Sequence, residues 1–103
     1  MKILLVCAGG MSTSILMKRM KKYWCDKNIE LIVEAVGLST NNLEIAKEFD
    51  IVLVGPQISY RLAEIAEETG LPTGKIEPFD YAMANCANIM KLAEKLYTKE
   101  KRK

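Results

Sequence analysis

Short apolar runs alternate with stretches of helical periodicity along the whole chain. Four nearly continuous apolar segments are typical of buried parallel strands: Lys2–Cys7, Glu30–Val36, Asp50–Gly55 and Lys75–Pro78. Each is followed by a segment with helical spacing: Met11–Lys27, Asn42–Phe49, Gln57–Thr69 and Tyr81–Tyr97. This βαβαβαβα order predicts one α/β domain over residues 1–103, with three α/β/α layers around a four-stranded parallel sheet.

The predicted order of the strands in this sheet is 2-1-3-4. In open sheets of this kind, ligands bind beyond the carboxyl ends of the strands, at the point where the strand order reverses. The reversal falls between the first and third strands. We therefore expect the functional site at two loops, Cys7–Thr13 and Gly55–Gln57.

Several side chains have a predicted structural role. The first helix has an apolar face that should pack on the sheet, made of Ile15, Leu16, Met20 and Trp24. Gly70 is predicted to end the third helix, because glycine is favoured just past a helix C-terminus. Cys25 and Cys86 lie inside helical patterns and are predicted to be packing residues. Asp80 is predicted to be the N-cap of the last helix.

Composition narrows the chemistry. The net charge is only +2, which does not indicate a nucleic-acid binder, and three cysteines without a CxxC pair do not suggest a disulfide framework or a zinc site. The chain has no histidine, which excludes Ser-His, Cys-His and phosphohistidine chemistry on this chain. The apolar run before Cys7 is too short for a secretory signal, and no stretch is long enough for membrane insertion. We expect a cytoplasmic protein without a cofactor.

The loop after the first strand has the residues of a phosphate site. Cys7 ends the strand, and Gly9 and Gly10 allow the backbone to turn sharply and approach a ligand. The run Ser12–Ser14 opens the helix, and one of its hydroxyls is expected to be the N-cap. Free N–H groups at a helix N-terminus bind anions, and the same field favours a cysteine thiolate. The pattern predicts a nucleophilic Cys7 that binds or carries phosphate.

Two rival functions use the same loop. A cysteine phosphatase needs an arginine six residues after the cysteine to clamp the phosphoryl oxygens, but that position is Thr13, and no Arg or Lys occurs between Cys7 and Lys18. Slow hydrolysis suits a phosphoryl carrier, although Asp80 lies where a phosphatase acid could come from. A module that binds a small anion without chemistry is the other alternative, and Cys7 would then be dispensable.

Two motifs together resemble a known family. They are C-A-G-G-M-S-T-S at Cys7–Ser14 and G-P-Q-I-S-Y at Gly55–Tyr60. The pair is similar to the IIB component of the lactose/cellobiose family of the bacterial phosphoenolpyruvate-dependent sugar phosphotransferase system, and the resemblance extends over essentially the whole chain. The run after Tyr81 departs from the Tyr-Gly pair that family members tend to carry.

The resemblance implies a cytoplasmic phosphotransferase. Cys7 would accept phosphate from a histidine of the IIA component and pass it to a sugar bound by the membrane-embedded IIC component. The phosphate loop would comprise Ala8, Gly9, Gly10, Met11, Ser12, Thr13 and Ser14, and the neighbouring loop would supply Gly55, Pro56, Gln57 and Tyr60. Lactose, cellobiose, chitobiose and other β-glucosides stay open as the sugar, since its site would lie on another protein.

Further hypotheses concern residues near the Cys7 loop. Gln57 could donate a hydrogen bond towards the phosphate, whereas the position of Tyr60 is more typical of a core residue. The basic face of the first helix lies just behind the loop in the chain, and we expect part of it to steer an acidic partner. That face consists of Lys18, Arg19, Lys21 and Lys22.

Overall fold

Four parallel strands form one sheet in the order β2-β1-β3-β4. The computed structural model describes the backbone of residues 1–6, 11–36 and 44–101 and the side chains of residues 1–6, 15–36 and 46–98. The strands are β1 (Lys2–Val6), β2 (Ile32–Val36), β3 (Ile51–Val54) and β4 (Thr73–Lys75). The predicted order 2-1-3-4 is confirmed, so the strand order reverses between β1 and β3.

Helices cover both faces of this sheet. They are α1 (Met11–Asp26), α2 (Leu62–Thr69), α3 (Pro78–Met83) and α4 (Cys86–Lys101), together with two 3-10 helices, Glu44–Glu48 and Pro56–Arg61. Helices α1 and α4 pack on one face, and α2 and the 3-10 helices pack on the other. The predicted α/β fold with three layers is confirmed.

The alternation of side chains along the two central strands divides the core into two halves. The residues that face α1 and α4 are Ile3, Leu5, Ile51 and Leu53. Those that face α2 are Leu4, Val6, Val52 and Val54. All eight are fully buried, which explains why both strands consist of uninterrupted apolar residues rather than alternating polar and apolar ones.

The last third of the chain differs from the prediction. Strand β4 lies at Thr73–Lys75 rather than Lys75–Pro78, and the last helix is two helices, α3 and α4. The break occurs at Ala84, which has a left-handed backbone with φ of 50°. The predicted helix Asn42–Phe49 is a 3-10 helix over its described residues, Glu44–Glu48.

Some predicted side-chain roles are corrected as well. Ile15 is 57% exposed and does not belong to the apolar face of α1, whose other three members are buried. Cys25 is exposed and is not a packing residue, whereas Cys86 is buried as predicted. Gly70 ends α2 with φ of 68°, as expected, and its N–H donates to the carbonyl of Ala66 at 3.0 Å.

Asp80 is not the N-cap of the last helix. It lies in the first turn of α3, and its Oδ1 accepts a hydrogen bond from Nδ2 of Asn88 at 3.0 Å. The residue that precedes α4 is Asn85, whose Oδ1 accepts from the backbone N–H of Asn88 at 3.4 Å. The Asp80 carboxylate therefore joins α3 to α4, because Asn88 donates to it from one helix to the other.

Candidate functional site at the strand-order reversal

The carboxyl ends of β1 and β3 are joined at the edge where the strand order reverses. Val6 lies opposite Val54 in the parallel ladder, and the N–H of Gly55 donates to the carbonyl of Val6 at 2.9 Å. Cys7 is the next residue after Val6 in the chain, and Pro56 is the next after Gly55. The structure therefore brings Val6, which precedes the first predicted site loop, next to Gly55, which begins the second.

The helix that follows the first loop begins at Met11. The residues Cys7, Ala8, Gly9 and Gly10 lie outside the described part of the chain. Ser12, Thr13 and Ser14 lie in the first turn of α1, so none of them is the N-cap, and that expectation was wrong. The first turn has no acidic residue. Its N–H groups therefore keep the partial positive charge of a helix N-terminus without a carboxylate beside them.

The second loop continues directly into a 3-10 helix. Pro56 is its first residue, where the missing N–H of proline costs nothing, and the hydroxyl of Ser59 donates to the carbonyl of Pro56 at 3.1 Å. Gln57 is exposed. Tyr60 is 80% exposed, so its prediction as a core residue was wrong. Both side chains are available to a ligand or a partner.

Arg61 is the arginine closest in sequence to this second loop, and its guanidinium is paired with the carboxylate of Glu64. Its Nε donates to Oε2 of Glu64 at 2.9 Å, and its Nη2 donates to Oε1 at 2.6 Å. This two-fold hydrogen bond lowers the pKa of the Glu64 carboxyl and raises that of the guanidinium. In this pairing, the N–H donors of Nε and Nη2 are directed at Glu64 and not at a phosphoryl group.

Neither a metal site nor a membrane span occurs in the described part of the molecule. No group of three or more His, Cys, Asp or Glu side chains there could hold a metal ion. Likewise, no helix within the described ranges is long and apolar enough to cross a membrane.

One surface feature was not predicted from the sequence. Phe79 and Met83 lie four residues apart on α3 and are both exposed. The prediction began the last helix at Tyr81 and so separated them. Pro78 was the available signal, because proline is favoured at the first position of a helix, and a helix that starts there places the two side chains on one face.

These features define a class: a doubly wound α/β domain whose strand order reverses beside a cysteine that follows a buried strand. A family model described as the lactose/cellobiose-specific IIB subunit of the PTS system matches residues 2–94. The chain belongs to this family, and it is a sugar-specific IIB component of the phosphotransferase system.

Curated relatives agree with this assignment. The chain is 38% identical over 87 residues to the oligo-β-mannoside-specific EIIB component of the PTS from Bacillus subtilis, which covers 82% of this chain and 84% of the relative. It is 33% identical over 101 residues to the cellobiose-specific EIIB component from Lactococcus lactis, which covers 91% and 94%. Relatives at this level that are named for different sugars support the family rather than one substrate.

Solved structures have the same fold. The solution structure of the cellobiose-specific phosphotransferase IIB component from Borrelia burgdorferi superposes with a TM-score of 0.78 at 39% identity, over 96% of this chain and 93% of that one. The lactose-specific IIB domain from Streptococcus pneumoniae gives the same TM-score at 17% identity, over 94% and 97%. The second comparison supports the fold alone.

Proposed function

We propose that this chain is a cytoplasmic phosphoryl carrier in which Cys7 is the residue that is phosphorylated. The observation that carries the proposal is the junction of β1 and β3. The hydrogen bond from Gly55 to Val6 joins the two strands at the strand-order reversal, where sheets of this class bind their ligands. Cys7 follows Val6 directly in the sequence, and α1 begins four positions after Cys7.

The two chemical steps exchange one bond for another. In the first, the Cys7 thiolate attacks the phosphorus of a phosphohistidine on the IIA component, so an S–P bond forms, the N–P bond breaks and the imidazole leaves with the electron pair. In the second, a hydroxyl of the sugar bound by the IIC permease attacks phosphorus. An O–P bond then forms, the S–P bond breaks, the hydroxyl proton is released to solvent, and the Cys7 thiolate leaves with the electron pair.

The surroundings of this site favour a carrier over a hydrolase. The run Ala8–Ser14 and Gln57 offer only neutral donors to a phosphoryl group, and Arg61 is engaged by Glu64. Asp80, the side chain that could have acted as a phosphatase acid, receives the amide of Asn88. Fewer cationic groups mean weaker stabilisation of the transition state for attack by water, so a phosphocysteine would persist until its acceptor binds.

Phosphorylation of the intact protein tests this function. The chain is incubated with phosphoenolpyruvate, the general phosphotransferase proteins and a IIA component, and its intact mass is recorded. We expect a gain of about 80 Da, one phosphoryl group, and its loss in a Cys7→Ser variant. A Cys25→Ser variant is the matched control, because that thiol is exposed and lies in α1, and it should still be phosphorylated.

Two other outcomes would contradict the proposal in different ways. Turnover of p-nitrophenyl phosphate that depends on Cys7, without a stable phosphorylated form, would indicate a phosphatase. If several competent IIA components fail to phosphorylate the protein and it shows no turnover either, the result would indicate an anion-binding module. In such a module, the Cys7→Ser variant retains anion binding.

A further inference from the structure

A groove of about 600 Å³ opens between the second half of α1 and the junction of α3 with α4. The residues on its α1 side are Arg19, Lys22, Tyr23 and Asp26, and those on its α3 side are Phe79 and Met83. The junction contributes small side chains, among them Ala84 and Ala87. The α1 wall, with two cations and one carboxylate, therefore has a net positive charge and is called the basic wall, and the α3 wall is apolar.

The apolar wall consists of two large side chains with little cover from the protein itself. Phe79 is 69% exposed and Met83 is 62% exposed. Their spacing of four residues on α3 places them side by side. Aromatic and methionine side chains are enriched in protein interfaces, and an exposed adjacent pair is typical of an anchor that a partner covers.

The basic wall belongs to a strongly cationic surface. The outer face of α1 and the turn after it expose five cations, Lys18, Arg19, Lys21, Lys22 and Lys27, and one carboxylate, that of Asp26. Among the side chains that the structure describes, none of the five forms an ion pair with a carboxylate. The whole chain has a net charge of only +2, so positive charge is concentrated on this face and is available to a partner.

We propose that this groove docks the phosphoryl donor of the relay, through an acidic segment of that protein that carries a bulky apolar side chain. The carboxylates contact Arg19 and Lys22, and the apolar side chain covers Phe79 and Met83. The inference rests on the proposed carrier function, and it adds the surface and the chemistry by which the donor is recognised.

Charge distinguishes the donor from the permease as the occupant. The cytoplasmic loops of membrane proteins carry an excess of Lys and Arg, which this basic wall would repel. A bilayer surface would also attract the cations, and binding to anionic vesicles distinguishes that occupant from the donor.

The distance along α1 allows one partner to contact the groove and the cysteine loop together. Arg19 lies eight residues after the start of α1 at Met11, and Asp26 lies fifteen residues after it. At about 1.5 Å per residue, the groove extends from about 12 to about 22 Å from the end of the loop. An interface of about 800 Å² per partner spans roughly 30 Å and covers both.

Transfer kinetics separate this docking role from the chemistry at Cys7. The rate of phosphoryl transfer from the phosphorylated IIA component is measured against the concentration of Lys22→Glu and Phe79→Ala variants. We expect Lys22→Glu to lower kcat/KM about tenfold at about 10 mM salt and far less at about 300 mM, because salt screens exposed charges. Phe79→Ala should lower it about five- to tenfold at both salt concentrations.

Both variants should reach the same final extent of phosphorylation as the parent protein and the same rate of transfer at saturating concentrations of the variant. Lys47→Glu, an exposed charge reversal in the 3-10 helix of the opposite layer, and Ile32→Ala, an exposed apolar residue of edge strand β2, are the matched controls. Both should keep the kinetics of the parent protein. As a second measurement, unphosphorylated IIA should shift the amide resonances of Phe79, Met83 and Ala87.

The possible failures are distinct. If the parent protein is not phosphorylated at Cys7, the carrier function itself is wrong. If it is phosphorylated and both groove variants match the controls, the carrier function stands and the docking proposal is wrong. Groove-dependent binding to vesicles with 30 mol% phosphatidylserine, together with unchanged transfer kinetics, would also overturn the proposal, because the surface would then recognise lipid.

Discussion

The substitution Gly74→Ala tests how closely α4 packs on β4. An ideal Cβ at Gly74 would lie 2.9 Å from Cδ1 of Leu96 and 3.1 Å from Cδ1 of Leu92. Carbon atoms pack best at about 3.5–4.0 Å, so each leucine would have to retreat by roughly 0.5 Å. Extra methyl groups in packed cores cost about 1–3 kcal/mol.

Two smaller effects oppose this cost. Burial of the new methyl group contributes about 0.8 kcal/mol, and the reduced freedom of the unfolded chain contributes about 0.4–1 kcal/mol. Both contacts are with the far ends of flexible, half-buried leucine side chains that can shift, so the steric cost falls in the lower half of the range for extra core methyl groups, at about 1–2 kcal/mol. We therefore expect Gly74→Ala to change the free energy of unfolding by less than about 0.5 kcal/mol, because the steric cost and the two gains nearly cancel.

A double-mutant cycle with Leu96→Ala isolates the steric contact. Truncation of Leu96 removes the atom at 2.9 Å, so in that background Gly74→Ala should stabilise the protein by about 1 kcal/mol, with a coupling energy of about 1 kcal/mol. Urea unfolding monitored by far-ultraviolet circular dichroism measures all four variants. A coupling energy below about 0.5 kcal/mol would refute the packing argument.

Gly70→Ala is the matched control for the cycle. A Cβ there meets no atom within 4 Å, but φ is +68°, so the cost of about 1 kcal/mol comes from the left-handed backbone alone. This cost should add to that of Leu96→Ala without coupling, since the two sites share no contact.

Two further predictions concern titratable groups. Iodoacetamide should alkylate Cys25 fast and Cys86 slowly, because Cys25 is exposed while burial raises the pKa of the Cys86 thiol; equal rates in peptide-resolved mass spectrometry would contradict this. The Glu64 carboxyl should titrate at a lower pH in the parent than in Arg61→Ala, since the guanidinium lowers its pKa. Because the pKa of Glu64 is lower in the folded protein than in the unfolded chain, the pair stabilises the fold at pH values above the ordinary carboxyl pKa of about 4.3. This stabilisation is lost as the pH falls through the lowered pKa. Carboxyl resonances that titrate identically in both proteins would refute the pairing.

The sheet was predictable because burial dictates its sequence. Central strands β1 and β3 lie between two helix layers, so they must be apolar on both faces, and their uninterrupted apolar runs made them conspicuous. The alternation with helices then allowed few topologies. The predicted position of the site follows from that order, since Cys7 comes directly after β1 in the sequence and Gly55 directly after β3.

The predictions that were wrong concern segments and side chains whose conformation depends on tertiary contacts. Strand β4 has only three residues and includes Gly74, and a strand this short shows little periodicity. The break between α3 and α4 could not be predicted from a glycine, because the residue that adopts the left-handed backbone there is Ala84. Cys25 and Tyr60 have apolar character but lie on the outside, and no sequence pattern fixes the rotation of a helix that closely.

The central position of β1 also affects how the chain folds as it is synthesised. Strand β1 is the first strand of this sheet to leave the ribosome, and it pairs with β2, where Lys2 lies opposite Ile32, and with β3, where Ile3 lies opposite Ile51. Its partners emerge about 30 and 50 residues later. A nascent chain that stops before β3 therefore exposes an apolar strand with an unpaired edge, the kind of segment that aggregates or recruits a chaperone.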